Sequence, residues 1–349
     1  MNPVLSRLKV RHFRCFEALE CEFAPSMNLI VGANAQGKTS LLEAACVLLR
    51  LQSPRISTLA RAIRHEKVGF VLDGFFGPRH LQFYFSKQRK KLALDGVEQK
   101  SAAEYLDIAR VVWFSNQDID LVRGPADRRR RYLDFVAIQI NPGYRRLLRD
   151  YEKALRSRNH LLKSARPSWR EIAAFDAPLA GAGIGIAAAR SALVEQLRPF
   201  ADEAMHAISG SADVLSMEYR RGAPEEFAAA LEAGRGEDLR LRQTVIGPHR
   251  DDLAIMLNGR ESEFSSEGQQ RSIVLAMKLA QARLLERGHG LQPVLLLDDI
   301  FGELDVTRRN ALLRHLPPDS QRLITTTHID WLDSKPDTRL FTIDGHCIR

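Results

Sequence analysis

The eight residues Gly32-Ala-Asn-Ala-Gln-Gly37-Lys38-Thr39 constrain this chain more than any others. They form a complete GxxxxGK[ST] string, and the flanks suit it. Upstream, Met-Asn-Leu-Ile-Val reads as a short apolar strand; downstream, Thr39-Ser-Leu-Leu-Glu-Ala-Ala-Cys-Val-Leu-Leu reads as a helix. Glycines let the backbone turn tightly and aim successive N–H groups at phosphate oxygens, at a helix N-terminus whose dipole favours anions. In that reading Gly32, Ala33, Asn34, Ala35, Gln36 and Gly37 form the cradle. Lys38 reaches the β- and γ-phosphates, Thr39 offers its hydroxyl to Mg²⁺, and Ser40 follows in the first helical turn. A strand, this loop and a helix imply an α/β protein that binds a nucleoside triphosphate.

A second site lies far along the chain. Pro293-Val-Leu-Leu-Leu-Asp298-Asp299 is a continuous apolar run ending in two carboxylates. Such a run suits a parallel strand covered on both faces, and ligands bind at the C-terminal ends of such strands. Asp298 is expected to hold Mg²⁺, directly or through water, and Asp299 to orient or deprotonate the attacking water. Between the two sites, Ser265-Ser266-Glu267-Gly268-Gln269-Gln270-Arg271 opens a helix with apolar residues at 273, 276, 277, 280 and 284. Ser266 alone would read as a helix cap. Ahead of an Asp-Asp strand, however, Ser266, Gly268 and Gln269 resemble the ABC signature, whose serine and helix N-terminus cap the γ-phosphate held by the opposite subunit. Glu303-Leu304-Asp305 looks like the ABC D-loop, and His328, after Arg322-Leu-Ile-Thr-Thr-Thr, stands where the ABC switch histidine stands. The resemblance implies a dimer closed around ATP, with each nucleotide between one subunit's phosphate loop and the other's signature.

The texture of the chain divides it. The first 120 residues carry short strand-like runs; residues 121–239 are rich in Ala, Leu, Arg and Glu with apolar residues at helical spacing; and the mixed texture returns at 240–349. The expected architecture is therefore an ABC-type, SMC-head-like P-loop core made from 1–120 and 240–349, with an inserted helical arm at 121–239. Pro142-Gly143, Pro167, Pro178 and, more weakly, Gly181-Ala-Gly-Ile-Gly185 are expected to break the arm into pieces. No run of uninterrupted apolar residues reaches the roughly 18–20 that a membrane span needs, and a cytoplasmic protein with no membrane partner is expected. The net charge of +8 favours a polyanionic partner. Arg128, Arg129, Arg130 and Arg131 are the candidate DNA contacts, the competing reading being a helix face paired with Asp127 and Asp134.

Further strings carry a closer resemblance. They are Leu8-Lys-Val-Arg-His-Phe13-Arg14, Leu41-Leu-Glu43-Ala44 after the phosphate loop, Val112-Trp-Phe-Ser-Asn-Gln-Asp118, Arg128-Arg-Arg-Arg-Tyr-Leu-Asp134, Gly247-Pro-His-Arg-Asp-Asp252 and Leu297-Asp-Asp-Ile-Phe-Gly-Glu303-Leu-Asp305. With these the chain resembles the RecF family, bacterial DNA-repair ATPases related to SMC heads. The resemblance implies ATP and Mg²⁺ as cofactors, an ATP-dependent homodimer, and double- and single-stranded DNA, especially gaps and junctions, as ligand. It also implies RecO and RecR as partners, RecA indirectly, and slow DNA-stimulated ATP hydrolysis. Gln117 is placed by position as a further Mg²⁺ ligand and catalytic residue, and Arg14 as a nucleotide contact. An SMC-like organiser would need a long coiled coil and a transporter subunit a docking partner; neither is evident. His249, Asp251 and Asp252 read as a structural loop.

Overall fold

The computed structural model describes residues 2–210, 213–329 and 338–348. It divides into two compact units. The first holds Met1–Asp118, Ala207–Gly210 and Leu275–Arg349; the second holds Ile119–His206 and Ser211–Val274.

The first unit is two sheets around one helix. In one six-stranded sheet, the strands Thr338–Asp344, Met27–Val31, Arg322–Thr326, Val294–Asp298 and Val111–Ser115 lie side by side in that order, all parallel, with Cys347–Ile348 antiparallel at the edge. Residues 294–298 and 111–114 are buried, which is why those runs are apolar throughout instead of alternating. The other sheet is antiparallel, built from Leu5–Phe13, Phe16–Glu22, Gly69–Phe76, Arg79–Ser86, Lys90–Leu94 and Val97–Glu98. The helix Lys38–Arg50 packs against strands of both sheets. Leu41, Leu42, Ala44, Ala45, Cys46, Val47, Leu48 and Leu49 are all shielded from solvent, so this helix has no solvent stripe and its apolar pattern is nearly unbroken. It begins at the phosphate loop, so a helix packed between two sheets carries the loop.

The second unit is mainly helical: Ala126–Ile140, Tyr144–Leu162 and Asp176–Ser209 are its long elements. It also holds a three-stranded antiparallel sheet of Leu215–Arg220, Asp252–Leu257 and Arg260–Glu261. The units part at 118/119 and 274/275, whereas the sequence texture divides at 120/121 and 239/240. Pairing of 215–220 with 252–257 explains the difference, because it ties residues after 240 to the unit that precedes them.

Two expectations about the arm change. Gly181-Ala-Gly-Ile-Gly185 does not interrupt a helix; Asp176–Ser209 runs through it for 34 residues. The glycines serve close approach instead: a Cβ on Gly183 would lie 2.6 Å from the Phe227 ring, and one on Gly185 2.9 Å from Leu147. Pro178 does not break the chain either, since it falls in that helix's first turn, where no intrahelical donor is needed. The stretch Trp169–Ser209 contains a window of mean hydropathy 1.6, long and apolar enough to cross a membrane by composition alone. Its middle is not apolar, however. Arg190 is buried there and donates to both oxygens of Asp134 at 2.8 and 3.0 Å, to Asp251 at 2.7 Å and to the Pro248 carbonyl at 2.7 Å. This clamp joins three segments of the second unit.

Removing one partner of a buried ion pair strands the other, at about 3–5 kcal/mol. Arg190→Ala is therefore expected to destabilise the protein by that amount in urea unfolding. Arg146→Ala, which removes an 82% exposed side chain facing Asp150, should change stability by less than about 0.5 kcal/mol. Equal effects would show that the Arg190 clamp does not hold the unit.

Candidate nucleotide site

The phosphate loop leaves the end of Met27–Val31 in the middle of the parallel sheet, and its shape demands small residues. Gly37 has φ 108°, and a Cβ there would lie 2.8 Å from Cys15 Sγ and 2.9 Å from the Phe16 ring. A Cβ on Gly32 would lie 2.5 Å from the Ile343 carbonyl oxygen. Ala35 is also left-handed, at φ 66°. Lys38 donates to the carbonyls of Gly32 and Ala33 at 2.6 and 2.9 Å, so its ammonium lies within the cradle. Burial lowers its pKa, while Asp299 and Asp298 pull it back up.

The carboxylates stand beside it. Asp298 Oδ1 accepts hydroxyl hydrogen bonds from Thr39 and Thr325, each at 2.8 Å. Two strand ends and the head of a helix thus meet on one oxygen. Burial pushes the Asp298 carboxyl pKa up, the two hydroxyls lower it, and Arg55 and Asp299 act with opposite signs. Thr39 and Asp298 together offer hard oxygen donors of the kind Mg²⁺ takes, and the buried carboxylate has no ion-paired lysine or arginine among the described residues. The residues present fit the cation.

Asp299 is held by its backbone and free at its side chain. Its N–H is directed at the Thr325 hydroxyl and carbonyl at 3.0 and 3.2 Å, and Asn116 Nδ2 donates to its carbonyl at 3.0 Å. The residue sits at φ 53°, in the left-handed region that short polar side chains such as Asp tolerate best. Its carboxylate receives no hydrogen bond from any described residue. Burial raises its pKa, Lys38 lowers it, Glu303 raises it and His328 lowers it. A half-buried, unpaired carboxylate beside a lysine is equipped to bind and orient a water.

The other candidate residues are placed as follows. His328 is exposed after Arg322–Thr326, and its backbone N–H points at the Thr326 hydroxyl at 3.3 Å. Gln117 is exposed in the turn after Val111–Ser115, on the same C-terminal edge of the sheet. Its neighbour Asp118 instead pairs with Lys278 at 2.7 Å and accepts from Ser115 N–H. Arg14 is engaged by protein: it forks onto both oxygens of Glu43 at 2.8 and 3.0 Å, and Ser53 and Arg55 join the same carboxylate at 2.6 and 3.0 Å.

In the second unit, Ser266 and Gln269 form a reciprocal capping box. Ser266 N–H donates to Gln269 Oε1 at 3.1 Å and Gln269 N–H donates to Ser266 Oγ at 3.3 Å, leaving an exposed helix start. Gly268 lies in the helix's first turn. The arginine run divides. Arg129 forks onto Asp252 at 2.6 and 2.9 Å and Arg130 donates to the Asp251 carbonyl at 2.7 Å. Arg128 and Arg131 lie 3.6 and 3.5 Å from Asp120 and Asp127. His249 accepts from the Tyr151 hydroxyl at 2.6 Å and donates to the Thr244 carbonyl at 2.9 Å, and burial holds its pKa below the usual histidine value.

Sequence reading passed over Thr325, Asn116 and the hold of the C-terminal hairpin on Gln36. Thr325 and Asn116 orient the two aspartates; the Thr325-Thr326-Thr327 run at the end of a buried strand was the available signal. Gln36 is held by the C-terminal hairpin: Gly345 N–H donates to its side-chain oxygen at 2.9 Å, and His346 Nδ1 lies 3.0 Å from its carbonyl. Nothing in the local sequence pointed to that contact.

A helix between a parallel and an antiparallel sheet, with lysine, threonine and paired aspartates gathered on one sheet edge, defines a P-loop ATPase head of the ABC and SMC type. A profile described as an AAA domain matches residues 7–125. The DNA replication and repair protein RecF of Synechococcus sp. (strain JA-2-3B'a(2-13)) is 35% identical over 95% of this chain and 93% of its own. RecF of Streptococcus suis (strain 05ZYH33) is 32% identical over 98% of each. A solved structure of the recombination mediator protein RecF with ATP, in the RecFOR pathway, superposes with TM-score 0.87 at 31% identity, covering 100% of this chain and 97% of that one. An Smc head bound to the C-terminal winged-helix domain of ScpA shares the fold at TM-score 0.54 and 14% identity, covering 99% of this chain and 96% of that one. The chain belongs to the RecF family of ATP-binding DNA replication and repair proteins.

A carboxyl whose folded pKa is raised penalises the folded state at any pH where it is ionised, so at neutral pH the Asp298 charge opposes folding until a cation binds. Asp298→Asn keeps an oxygen for both hydroxyls and removes the charge. Its melting temperature without nucleotide should equal or exceed that of the parent at neutral pH, while the further rise on adding ATP with Mg²⁺ should disappear. A nucleotide-free melting temperature several degrees lower would contradict this.

Proposed function

We propose that the chain is an ATP-dependent DNA-binding protein that closes as a homodimer on ATP and Mg²⁺ and opens after hydrolysis. The arrangement of Thr39, Asp298, Thr325, Asp299 and Lys38 on one sheet edge carries this reading. Thr39 and Asp298, with Gln117 from the neighbouring strand end, would hold Mg²⁺, which neutralises phosphate charge when bound. Lys38 exchanges its loop carbonyls for phosphate oxygens. Asp299 orients the attacking water and takes its proton, and His328 reports the γ-phosphate from the adjoining strand. Asp is one methylene shorter than the Glu usual at this position in ABC ATPases, so turnover is slow and suits a timer for release.

Ser266 and the exposed helix start behind it serve the partner's nucleotide. The capping box leaves Ser266 at the surface, where it can turn from its own helix to a phosphate. The relatives named for DNA replication and repair and for the RecFOR pathway support DNA as the ligand, with RecO and RecR as partners. On this reading the ATP-bound dimer binds DNA at gaps or junctions in the cytoplasm, promotes RecA loading with RecO and RecR, and is released as DNA-stimulated hydrolysis proceeds.

Fluorescence anisotropy of a labelled gapped duplex tests the reading. Binding is expected with ATP and Mg²⁺, to weaken at least about tenfold with ADP, and to be lost in Ser266→Arg while that variant still binds ATP. A tenfold change corresponds to about 1.4 kcal/mol of differential affinity. Equal binding under ATP, ADP and no nucleotide would separate DNA binding from the ATP switch and refute it.

A further inference from the structure

The antiparallel sheet of the first unit ends in a basic hairpin. Strands Arg79–Ser86 and Lys90–Leu94 are joined by a tight turn, closed by Ser86 N–H donating to the Arg89 carbonyl at 2.8 Å and Arg89 N–H donating to Ser86 Oγ at 2.9 Å. The sequence across the turn is Lys87-Gln-Arg89-Lys90-Lys91, and all five residues are exposed. Gly69 pairs with Ser86 across the next strand, which brings exposed Lys67 to the same sheet end.

Several exposed arginines elsewhere face carboxylates: Arg131 with Asp127, Arg146 and Arg149 with Asp150, Arg156 with Glu152, Arg198 with Glu195, Arg240 with Glu237. Those charges are locally balanced. Lys67, Lys87, Arg89 and Lys91 have no carboxylate partner among the described residues, and the Lys90 ammonium lies 5.5 Å over the Phe85 ring. Several like charges at one strand turn repel one another and raise the free energy of the free protein, a cost that a polyanion would remove.

Beside the hairpin lies a groove of about 510 Å³, lined among others by Gln52, Ser57, Thr58, Phe85, Gln88 and Lys90. Ser57 and Thr58 are exposed. Hydroxyls and amides set among lysines and an arginine are the side chains that contact nucleic-acid phosphates, which position a duplex without reading its sequence. A single bound anion would need converging, pre-oriented donors. Cations spread along an exposed strand turn suit a backbone that carries regularly spaced charge.

We propose that the Lys87–Lys91 hairpin, with Lys67 and the adjoining groove, is a phosphate-contacting surface for duplex DNA. This rests on the DNA-binding reading above and assigns the contact to the first unit instead of to Arg128–Arg131. No residue of the hairpin belongs to the nucleotide machinery, so the two activities can be changed separately.

The test is anisotropy of a labelled duplex with ATP and Mg²⁺ across a salt series. It compares the parent, the fourfold variant K87A/R89A/K90A/K91A, and the charge-keeping variant K87R/K90R/K91R. ATP affinity and melting temperature are read for each. The alanine variant is expected to keep both while binding duplex at least about tenfold more weakly. Its slope of log K against log salt should be shallower by about 0.9 for each phosphate no longer neutralised, about 3 to 4 in all. The arginine variant should behave as the parent. Parental affinity and slope in the alanine variant would overturn the proposal alone. Failure of the parent itself to bind duplex would overturn the DNA-binding reading together with it. If the alanine variant melts early, the reversal set K87E and K91E, one at a time, decides: each should weaken binding more than its arginine counterpart, and no difference would overturn the proposal.

Discussion

One oxygen holds the nucleotide site together. Asp298 Oδ1 takes hydroxyl hydrogen bonds from Thr39, at the head of the phosphate-loop helix, and from Thr325, on the neighbouring strand. A buried carboxylate is costly unless it is satisfied, so this position requires partners, and the partners come from elements far apart in the chain. Thr325 serves twice, since it also receives the Asp299 N–H. The register of these two parallel strands is thereby tied to the position of the phosphate-loop helix and of the two aspartates. A slip of one strand by one residue would turn Asp298 or Thr325 to the opposite face of the sheet.

The electrostatics follow from the same burial. Asp298 and Asp299 both have raised pKa values and Lys38 a lowered one. Each group is set against its own charge by desolvation; Lys38 and Asp299 relieve each other, whereas Asp299 adds to the burden on Asp298, which the Thr39 and Thr325 hydroxyls and Arg55 offset. A site in that condition gains most from a ligand that brings a cation to the aspartates and anionic oxygens to the lysine, which is the charge pattern of a nucleotide with its metal. The second unit handles buried charge differently. Arg190 with Asp134 and Asp251, and Arg158 with Asp176 and Asp238, are matched pairs closed by protein alone. Those clusters hold helices in place.

The sequence was most informative where chemistry is local. The phosphate loop needs its glycines, lysine and threonine within eight residues, and an apolar strand capped by two aspartates is read in seven. The interleaved α/β architecture followed from those strings and their order. What the sequence hides depends on partners distant in the chain. Arg14 lies near the loop, yet Glu43 takes it, and Arg129 is taken by Asp252. The Gln36 contact with Gly345 and His346 spans more than 300 residues. The Gly181–Gly185 segment looked like a break because glycine lowers helix propensity by about 1 kcal/mol; packing of Phe227 and Leu147 into the space beside the bare glycine backbone outweighs that. The sequence reading passed over the basic hairpin at 87–91, and only three dimensions show that Lys87, Arg89 and Lys91 have no carboxylate partner among the described residues.

The central claim is that ATP is the cement of a dimer whose two sites are each completed by the other subunit's Ser266. Light scattering of Asp299→Asn under ATP with Mg²⁺ tests it most directly, since that variant is expected to bind nucleotide and to stall before release. The account predicts twice the monomer mass with ATP, monomer mass with ADP, and monomer mass with ATP once Ser266→Arg is added. Monomer mass for Asp299→Asn with saturating ATP, or a dimer that survives Ser266→Arg, would contradict it.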